Sequence, residues 1–263
     1  MELGLEGKIA LVTGGSDGIG KAAAHRLAAE GVKVTICARR ADVLEEAAAD
    51  IRGATGGEVI AIPADVTEPD QLASMFDAII AAHGRIDILV NNAGTSSAGL
   101  FEEVTDEVWQ ADLDLKLFGA IRCSRLAIPH MRAQGGGRIV NITTPGGKAP
   151  GPASVPTSVS RAAGIALTKE LSKDYAKDNI LVNTVCIGLI KSGQNRRSWE
   201  RARVDRPDLT EERYYEERGE SIPLGRVGEA GEAGDLIAFL VSDRAAYITG
   251  TSVNIDGGSS AVV

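Results

Sequence analysis

A glycine-rich stretch near the start of the chain, residues 13–20, contains the residue types that hold a phosphate. It reads Thr-Gly-Gly-Ser-Asp-Gly-Ile-Gly and follows an apolar run, Ile9 to Val12, that predicts a buried strand. A helical pattern then runs from Gly18 to a stop at Gly31. Glycines let the backbone approach a pyrophosphate, and a helix N-terminus offers its oxygens free N–H groups and a positive dipole end. The stretch therefore predicts a dinucleotide-binding turn in preference to an ordinary strand-to-helix loop.

Apolar runs alternate with amphipathic helical patterns along the rest of the chain. Further strands are predicted at 32–38, 59–62, 86–90, 138–142, 180–186 and 252–255, and further helices at 41–51, 68–83, 105–131, 153–177 and 229–242. This alternation predicts an α/β fold with a Rossmann-type, doubly wound parallel sheet of about seven strands. Residues 193–222 form a polar excursion, expected to be a lid on the substrate side. No linker or repeat divides the chain, so residues 1–263 are expected to form one domain.

The charge and the residue composition of the chain limit which partners and ligands it is expected to bind. The chain has 263 residues and a net charge of −8, which disfavours nucleic acid as a partner. Its three cysteines, Cys37, Cys123 and Cys186, lie far apart in apolar runs, so we expect buried free thiols in a reducing compartment. The three histidines have no metal-ligand spacing, and no apolar run is long enough to span a membrane. We expect a cytoplasmic protein that binds no metal and no membrane.

Several ordered motifs resemble those of the short-chain dehydrogenase/reductase family, in particular its 3-oxoacyl-carrier-protein reductases, along essentially the whole chain. They are residues 13–20, Asp65-Val66, Asn91-Asn92-Ala93-Gly94 and Asp256-Gly257-Gly258. The resemblance implies an NAD(P)-dependent oxidoreductase that acts on a small carbonyl or alcohol and assembles as a homodimer or homotetramer. The cofactor-binding residues that it implies are Gly14, Ser16, Asp17, Gly18, Ile19, Gly20, Arg39, Arg40, Asp65, Val66, Asn91, Ala93, Gly94, Arg161, Gly188, Ile190 and Ser192.

The residues at the end of the second predicted strand indicate whether the chain prefers NAD or NADP. An acidic residue there favours NAD through the ribose hydroxyls, whereas an arginine pairs with the 2′-phosphate of NADP. The chain has Arg39 and Arg40 at this point, which favours NADP. Asp17 opposes that preference because its charge would repel the phosphate, so NAD remains the alternative.

The catalytic positions depart from the family pattern. The family uses Asn, Ser, Tyr and Lys, and the corresponding residues here are Lys116, Thr144, Thr157 and Arg161. No shift of alignment supplies the tyrosine, since the first tyrosine in the chain is Tyr175. A phenol titrates near about pH 10 and can be tuned towards neutrality, whereas a threonine hydroxyl is a poor general acid and an arginine does not exchange its proton.

Three hypotheses remain open from the sequence. The chain transfers hydride and takes its proton from Lys116, whose pKa a second cation and partial burial would lower, or from Tyr214 or Tyr215 of the excursion. Alternatively, Lys116 is the amine of a lyase, aldolase-like or isomerase reaction. In the third hypothesis the chain is a non-catalytic NADP-binding module. The arginines of the excursion form either a solvated helix face or a contact with an anionic substrate.

Overall fold

Seven strands form one parallel sheet in the computed structural model, which describes all 263 residues. The strands are β1 (Ile9–Thr13), β2 (Lys33–Ala38), β3 (Val59–Pro63), β4 (Ile88–Asn91), β5 (Gly137–Thr143), β6 (Ile180–Ile187) and β7 (Ser252–Ile255). Their spatial order is β3-β2-β1-β4-β5-β6-β7, and all six pairings are parallel. The order reverses direction between β1 and β4, where ligands bind in open α/β sheets. The predicted doubly wound α/β fold is confirmed.

Helices cover both faces of the sheet. They are α1 (Gly18–Ala29), α2 (Ala41–Thr55), α3 (Pro69–His83), α4 (Asp106–Leu113), α5 (Gly119–Ala133), α6 (Thr157–Asp174), α7 (Gly193–Asp205), α8 (Glu211–Gly219) and α9 (Ala230–Val241). Buried faces of α1, α2 and α9 build one hydrophobic core, and those of α3 and α5 build the other on the opposite face. Because both faces are covered, the strand ends are the accessible edge of the sheet.

The continuous helix predicted at 105–131 is interrupted. Helices α4 and α5 are joined by a π-helical turn, Asp114–Phe118, which carries Lys116. Such single π turns inside helices recur at functional sites. Helix α6 also begins later than predicted, at Thr157 directly after Pro156, and α2 runs on to Thr55, where Gly56 ends it in the left-handed conformation.

The polar excursion at 193–222 contains α7 and α8 and a small apolar cluster of its own. Leu209, Tyr214, Tyr215, Ile222 and Val227 pack together there. No helix of the chain is both long and apolar enough to cross a bilayer. All three cysteines are free and buried, as predicted.

Candidate nucleotide-binding and catalytic site

One cleft of about 820 Å³ lies at the carboxyl ends of the strands. The segments that follow β1 to β6 all contribute to its walls, which is where parallel α/β sheets bind their ligands. The predicted residues that line it are Gly14, Ser16, Asp17, Gly18, Ile19, Arg39, Arg40, Asp65, Val66, Ala93, Gly94, Thr144, Arg161, Gly188, Ile190 and Ser192. The structure thus brings most of the predicted cofactor residues to one surface.

Two glycines of the first turn are required by close contacts. A Cβ on Gly20 would lie 2.2 Å from the carbonyl oxygen of Gly14, and a Cβ on Gly14 would lie 2.9 Å from Asn92 Nδ2. Helix α1 can therefore start directly against the end of β1. Since the first turn of a helix leaves its N–H groups without intrahelical partners, the N–H group of Ile19, which lines the cleft, is free for a ligand. Gly20 itself lies beneath the cleft wall.

The Asp17 carboxylate contacts the N-termini of two helices, α1 and α7. Its Oδ1 accepts a 2.7 Å hydrogen bond from Gly18 N. Its Oδ2 touches the first turn of α7, because a Cβ on Gly193 would fall within 1.5 Å of that oxygen. The carboxylate thereby joins the glycine turn to the start of the polar excursion.

Arg39 and Arg40 place two exposed guanidinium groups on the cleft wall after β2. Arg39 Nη1 is 4.0 Å from Asp65 Oδ2. The same aspartate accepts hydrogen bonds from Thr67 N and Thr67 Oγ1, at 3.0 and 2.8 Å. The turn after β3 is therefore held beside the arginines by its own hydrogen bonds.

Asn91, one of the predicted cofactor residues, does not line the cleft. Asn91 is buried below the cleft, where its Nδ2 donates to Asn141 Oδ1 at 2.9 Å and to Ser124 Oγ at 3.2 Å. Asn92 lines the cleft instead, and its Nδ2 donates to the carbonyl oxygens of Thr13 and Gly14. The side chains of a strand alternate between faces, so adjacent asparagines at a strand end take different roles.

Four polar side chains meet in a largely buried cluster that lies beside Gly94 and does not itself line the cleft. Lys116 Nζ forms an ion pair with Asp112 Oδ1 and donates to Thr157 Oγ1 at 2.9 Å. Ser160 Oγ donates to Asp112 Oδ2 at 2.6 Å. The backbone N–H of Ser97 donates to Thr157 Oγ1 at 3.0 Å. The side chains of Lys116 and Asp112 are 1 % and 0 % exposed, so the pair is closed to solvent.

Burial lowers the pKa of Lys116 from 10.5 to about 8, and the nearby positive charge of Arg161 contributes to the decrease. The hydrogen bond and negative charge of Asp112 act in the opposite direction. Lys116 therefore changes charge within the working range of ordinary enzymes, which is a property of groups that move protons.

Arg161 faces the cleft between β4 and β5. Its Nη1 donates to the carbonyl oxygen of Ile142 at 2.7 Å, and its buried Nε has no partner within the chain. A Cβ on Gly94 would lie 2.7 Å from Nη2, so only a glycine leaves the guanidinium its place. Burial lowers the pKa of Arg161 to about 10, and the group remains a cation at neutral pH. It offers the cleft unused donors.

The two candidate tyrosines do not join this cluster. Tyr214 and Tyr215 pack edge to face, with ring centres 5.5 Å apart, inside the apolar cluster of the excursion. Neither ring lines the cleft. Among the excursion's arginines, Arg197 lines the cleft, Arg203 stacks over Trp199, and Arg196 lies 3.9 Å from Glu200.

Sequence reasoning missed Asp112, Ser160 and Asn92. The spacing of Asp112 and Lys116, four residues apart within a helical pattern, was the available signal for the ion pair. Asn92 belongs to the motif at residues 91–94, but the sequence did not indicate a role for this residue.

Comparisons with known proteins agree with this geometry. Residues 14–260 match the family described as enoyl-(acyl carrier protein) reductase. The 3-oxoacyl-[acyl-carrier-protein] reductase of Synechocystis is 37 % identical over 255 residues, which cover 97 % of each chain. The human dehydrogenase/reductase SDR family member 4 is 33 % identical over 256 residues, covering 97 % of this chain and 88 % of that protein.

A solved structure extends the similarity to the full fold. L-sorbose reductase from Gluconobacter frateurii, in complex with NADPH and L-sorbose, superposes with a TM-score of 0.95 at 32 % identity and covers 100 % of both chains. The cleft, the glycine turn and these relatives define a dinucleotide-dependent oxidoreductase fold. The chain belongs to the short-chain dehydrogenase/reductase family.

Proposed function

We propose that this protein is an NADP(H)-dependent oxidoreductase that interconverts a carbonyl and an alcohol with a lysine as its proton source. The observation that carries the proposal is the 2.9 Å hydrogen bond from Lys116 Nζ to Thr157 Oγ1 beside the nucleotide cleft. When bound, the reduced dinucleotide supplies the hydride. The chain must then supply one proton to the new alkoxide, and Lys116 is the buried group whose pKa, about 8, suits that task.

The proposed proton path has two steps. The Thr157 hydroxyl, which donates to Asp112 Oδ1 at 3.4 Å in the structure, turns to the substrate oxygen and gives it its proton as Lys116 Nζ gives a proton to Thr157 Oγ1. The threonine thus ends as it began and the lysine ends neutral. Thr144, which lines the cleft after β5, offers its hydroxyl to hold the substrate oxygen. The backbone N–H of Ser97 fixes Thr157 Oγ1 and helps to carry transient negative charge there.

The cleft fits a dinucleotide, and its charges favour NADP over NAD. Arg39 and Arg40 supply the cations that would hold a 2′-phosphate. The similarity to L-sorbose reductase, solved with NADPH, supports the same choice. Arg161 stands where the family has a lysine, and its guanidinium, which lines the cleft, would bind a ribose hydroxyl. As a cation that keeps its proton, Arg161 serves for binding and not for proton transfer.

The other hypotheses from the sequence are less well supported. An amine nucleophile needs access to the substrate, and the Lys116 side chain is 1 % exposed and held by two partners. The relatives described above are reductases or dehydrogenases, which disfavours a lyase. Tyr214 and Tyr215 would have to leave their apolar cluster to reach the cleft, so we assign them to the framework of the lid.

Substrate selection and assembly are proposed from two surfaces. Residues 193–222 act as the lid, and Arg197 on the cleft wall favours a substrate with an anionic group. Phe118 and Val159 are 42 % and 45 % exposed, on the helical side that carries α5 and α6. Burial of this apolar surface would accompany a homodimer or homotetramer.

The test is NADPH oxidation against a panel of ketoses, 3-oxoacyl thioesters and enoyl thioesters. We expect consumption with at least one carbonyl substrate, and a loss of at least about 100-fold in kcat for Lys116→Arg, which keeps the charge but holds its proton. Lys173→Arg, the same change at an exposed lysine, serves as the control. Binding of NADPH without consumption across the panel would refute the proposal.

A further inference from the structure

Asp112 is a carboxylate without solvent access and without an assigned role. It lies on α4 with its side chain 0 % exposed. One oxygen pairs with Lys116 and lies 3.4 Å from the Thr157 hydroxyl, and the other accepts from Ser160. A buried ion pair offsets its desolvation cost only if further hydrogen bonds satisfy the remaining lone pairs. Ser160 supplies such a bond on the side of the carboxylate that faces away from the lysine.

The surroundings of Lys116 show what this carboxylate does. The helices packed around Nζ bring two charged groups towards it, which are Asp112 from α4 and Arg161 from α6. Asp114, in the same π-helical turn as Lys116, faces Arg122 at 2.7 Å instead. Arg161 and burial both favour the neutral amine, so Asp112 is the group that favours the ammonium. The ion pair also directs Nζ, which lies between Asp112 Oδ1 and Thr157 Oγ1.

We infer that Asp112 is a positioning residue whose carboxylate keeps Lys116 protonated near neutral pH and aims its ammonium at the hydroxyl of Thr157. The effect of Asp112 on turnover rests on the proposed function. The effect of Asp112 on the charge of Lys116 does not depend on that function, so the two effects can be tested separately.

The charge of Lys116 is measured directly by NMR. Protein labelled with ¹³C- and ¹⁵N-lysine is titrated from pH 5 to 11, and the Lys116 signal is assigned by its absence in Lys116→Arg. We expect Asp112→Asn to lower the Lys116 pKa by at least about one unit, as loss of an adjacent opposite charge does. Asp114→Asn is the matched control, since it removes a carboxylate from the same segment but not from Lys116. An unchanged Lys116 pKa in Asp112→Asn would overturn the inference.

The kinetic arm is the pH profile of carbonyl reduction. In Asp112→Asn we expect the upper pH limit of kcat to move down by the same amount as the pKa measured by NMR, which corresponds to a loss of about tenfold per pH unit between the two limits. If kcat falls but its upper pH limit does not change, Asp112 has only a structural role, and this result would also overturn the inference. If the NMR pKa moves but no variant, nor the wild type, consumes NADPH, the proposed function fails and the control of Lys116 charge by Asp112 stands.

A thermodynamic cycle covers the case in which Asp112→Asn does not fold. The inference attributes that failure to an ammonium left unpaired in the interior. Asp112→Asn combined with Lys116→Met removes both charges, and this double variant is expected to fold and to show a cooperative urea transition that Asp112→Asn alone lacks. A double variant no more stable than the single one would show that Asp112 serves the fold and not the lysine.

Discussion

Alkaline pH is expected to stop carbonyl reduction and, over the same range, to make the fold more stable. Lys116, the proposed proton source, has its pKa lowered from 10.5 to about 8 by burial. Reduction needs the ammonium, so kcat should fall about tenfold for each pH unit above about 8. Oxidation of the alcohol needs the neutral amine, so its kcat should rise as the pH approaches about 8 and level off above that value.

The stability change follows from the proton count. Between pH 8 and 10.5 the unfolded chain keeps the Lys116 proton, whereas the folded chain has lost it. Stability rises with pH wherever the unfolded state binds more protons. The difference between 10.5 and about 8 corresponds to about 3 kcal/mol from this one group. A buried lysine thus disfavours folding at neutral pH and loses that cost as it becomes neutral.

The assay compares urea unfolding of the wild type and Lys116→Arg at pH 7.5 to 10.5. Other groups titrate in both proteins, so the difference between the two curves isolates Lys116. We expect that difference to grow by about 3 kcal/mol in favour of the wild type, with the rise beginning near pH 8, where kcat starts to fall, and levelling off near pH 10.5. A flat difference would refute the burial argument. A rise in stability that begins near pH 8 with a kcat limit elsewhere would refute the role of Lys116 as proton source.

The remaining predictions concern the nucleotide cleft. Arg39→Ala should weaken NADPH binding by about tenfold and NADH binding much less in isothermal titration, because a charge-assisted hydrogen bond to the 2′-phosphate is worth about 1.5 kcal/mol or more; equal losses for both cofactors would contradict this. Asp17→Asn should tighten NADPH binding by roughly two- to tenfold, because it removes a negative charge from the wall of the cleft that would receive the phosphate groups; unchanged affinity would contradict this repulsion. Gly20→Ala should abolish nucleotide binding or lower stability by about 1–3 kcal/mol, since its Cβ would meet Gly14 O, whereas Gly53→Ala, where a Cβ meets nothing, should raise stability by about 0.5–1 kcal/mol.

The parts of the site that depend on backbone shape were predictable from the sequence. Glycines at positions 14 and 20 are required by contacts of the main chain, and a strand followed by such a turn at a helix start has few alternative uses. The position of Arg39 and Arg40 was predictable for a related reason. Residues that directly follow a strand of a parallel sheet lie at the edge of the cleft.

The parts that depend on packing between distant segments were not predictable. Asp112 belongs to a helical stretch rich in acidic residues, where a solvated carboxylate is the ordinary expectation. Its burial results from Ser160, 48 residues further along, which supplies a partner only once α6 has packed beside α4. The interruption of the predicted helix at 105–131 also has no signal in the sequence. Residues 114–118 are adequate helix formers, and no proline marks the π-helical turn.

The buried ion pair between Asp112 and Lys116 also constrains how this lineage can change. Loss of either partner alone strands the other charge in the interior, at a cost of about 3–5 kcal/mol, which is a large share of the stability of a typical domain. Selection should therefore remove single substitutions at these two positions. We expect the two residues to change together, or one after the other in a protein that other substitutions have already stabilised. In relatives that carry a lysine at this position, an acidic residue is therefore expected one helical turn before it.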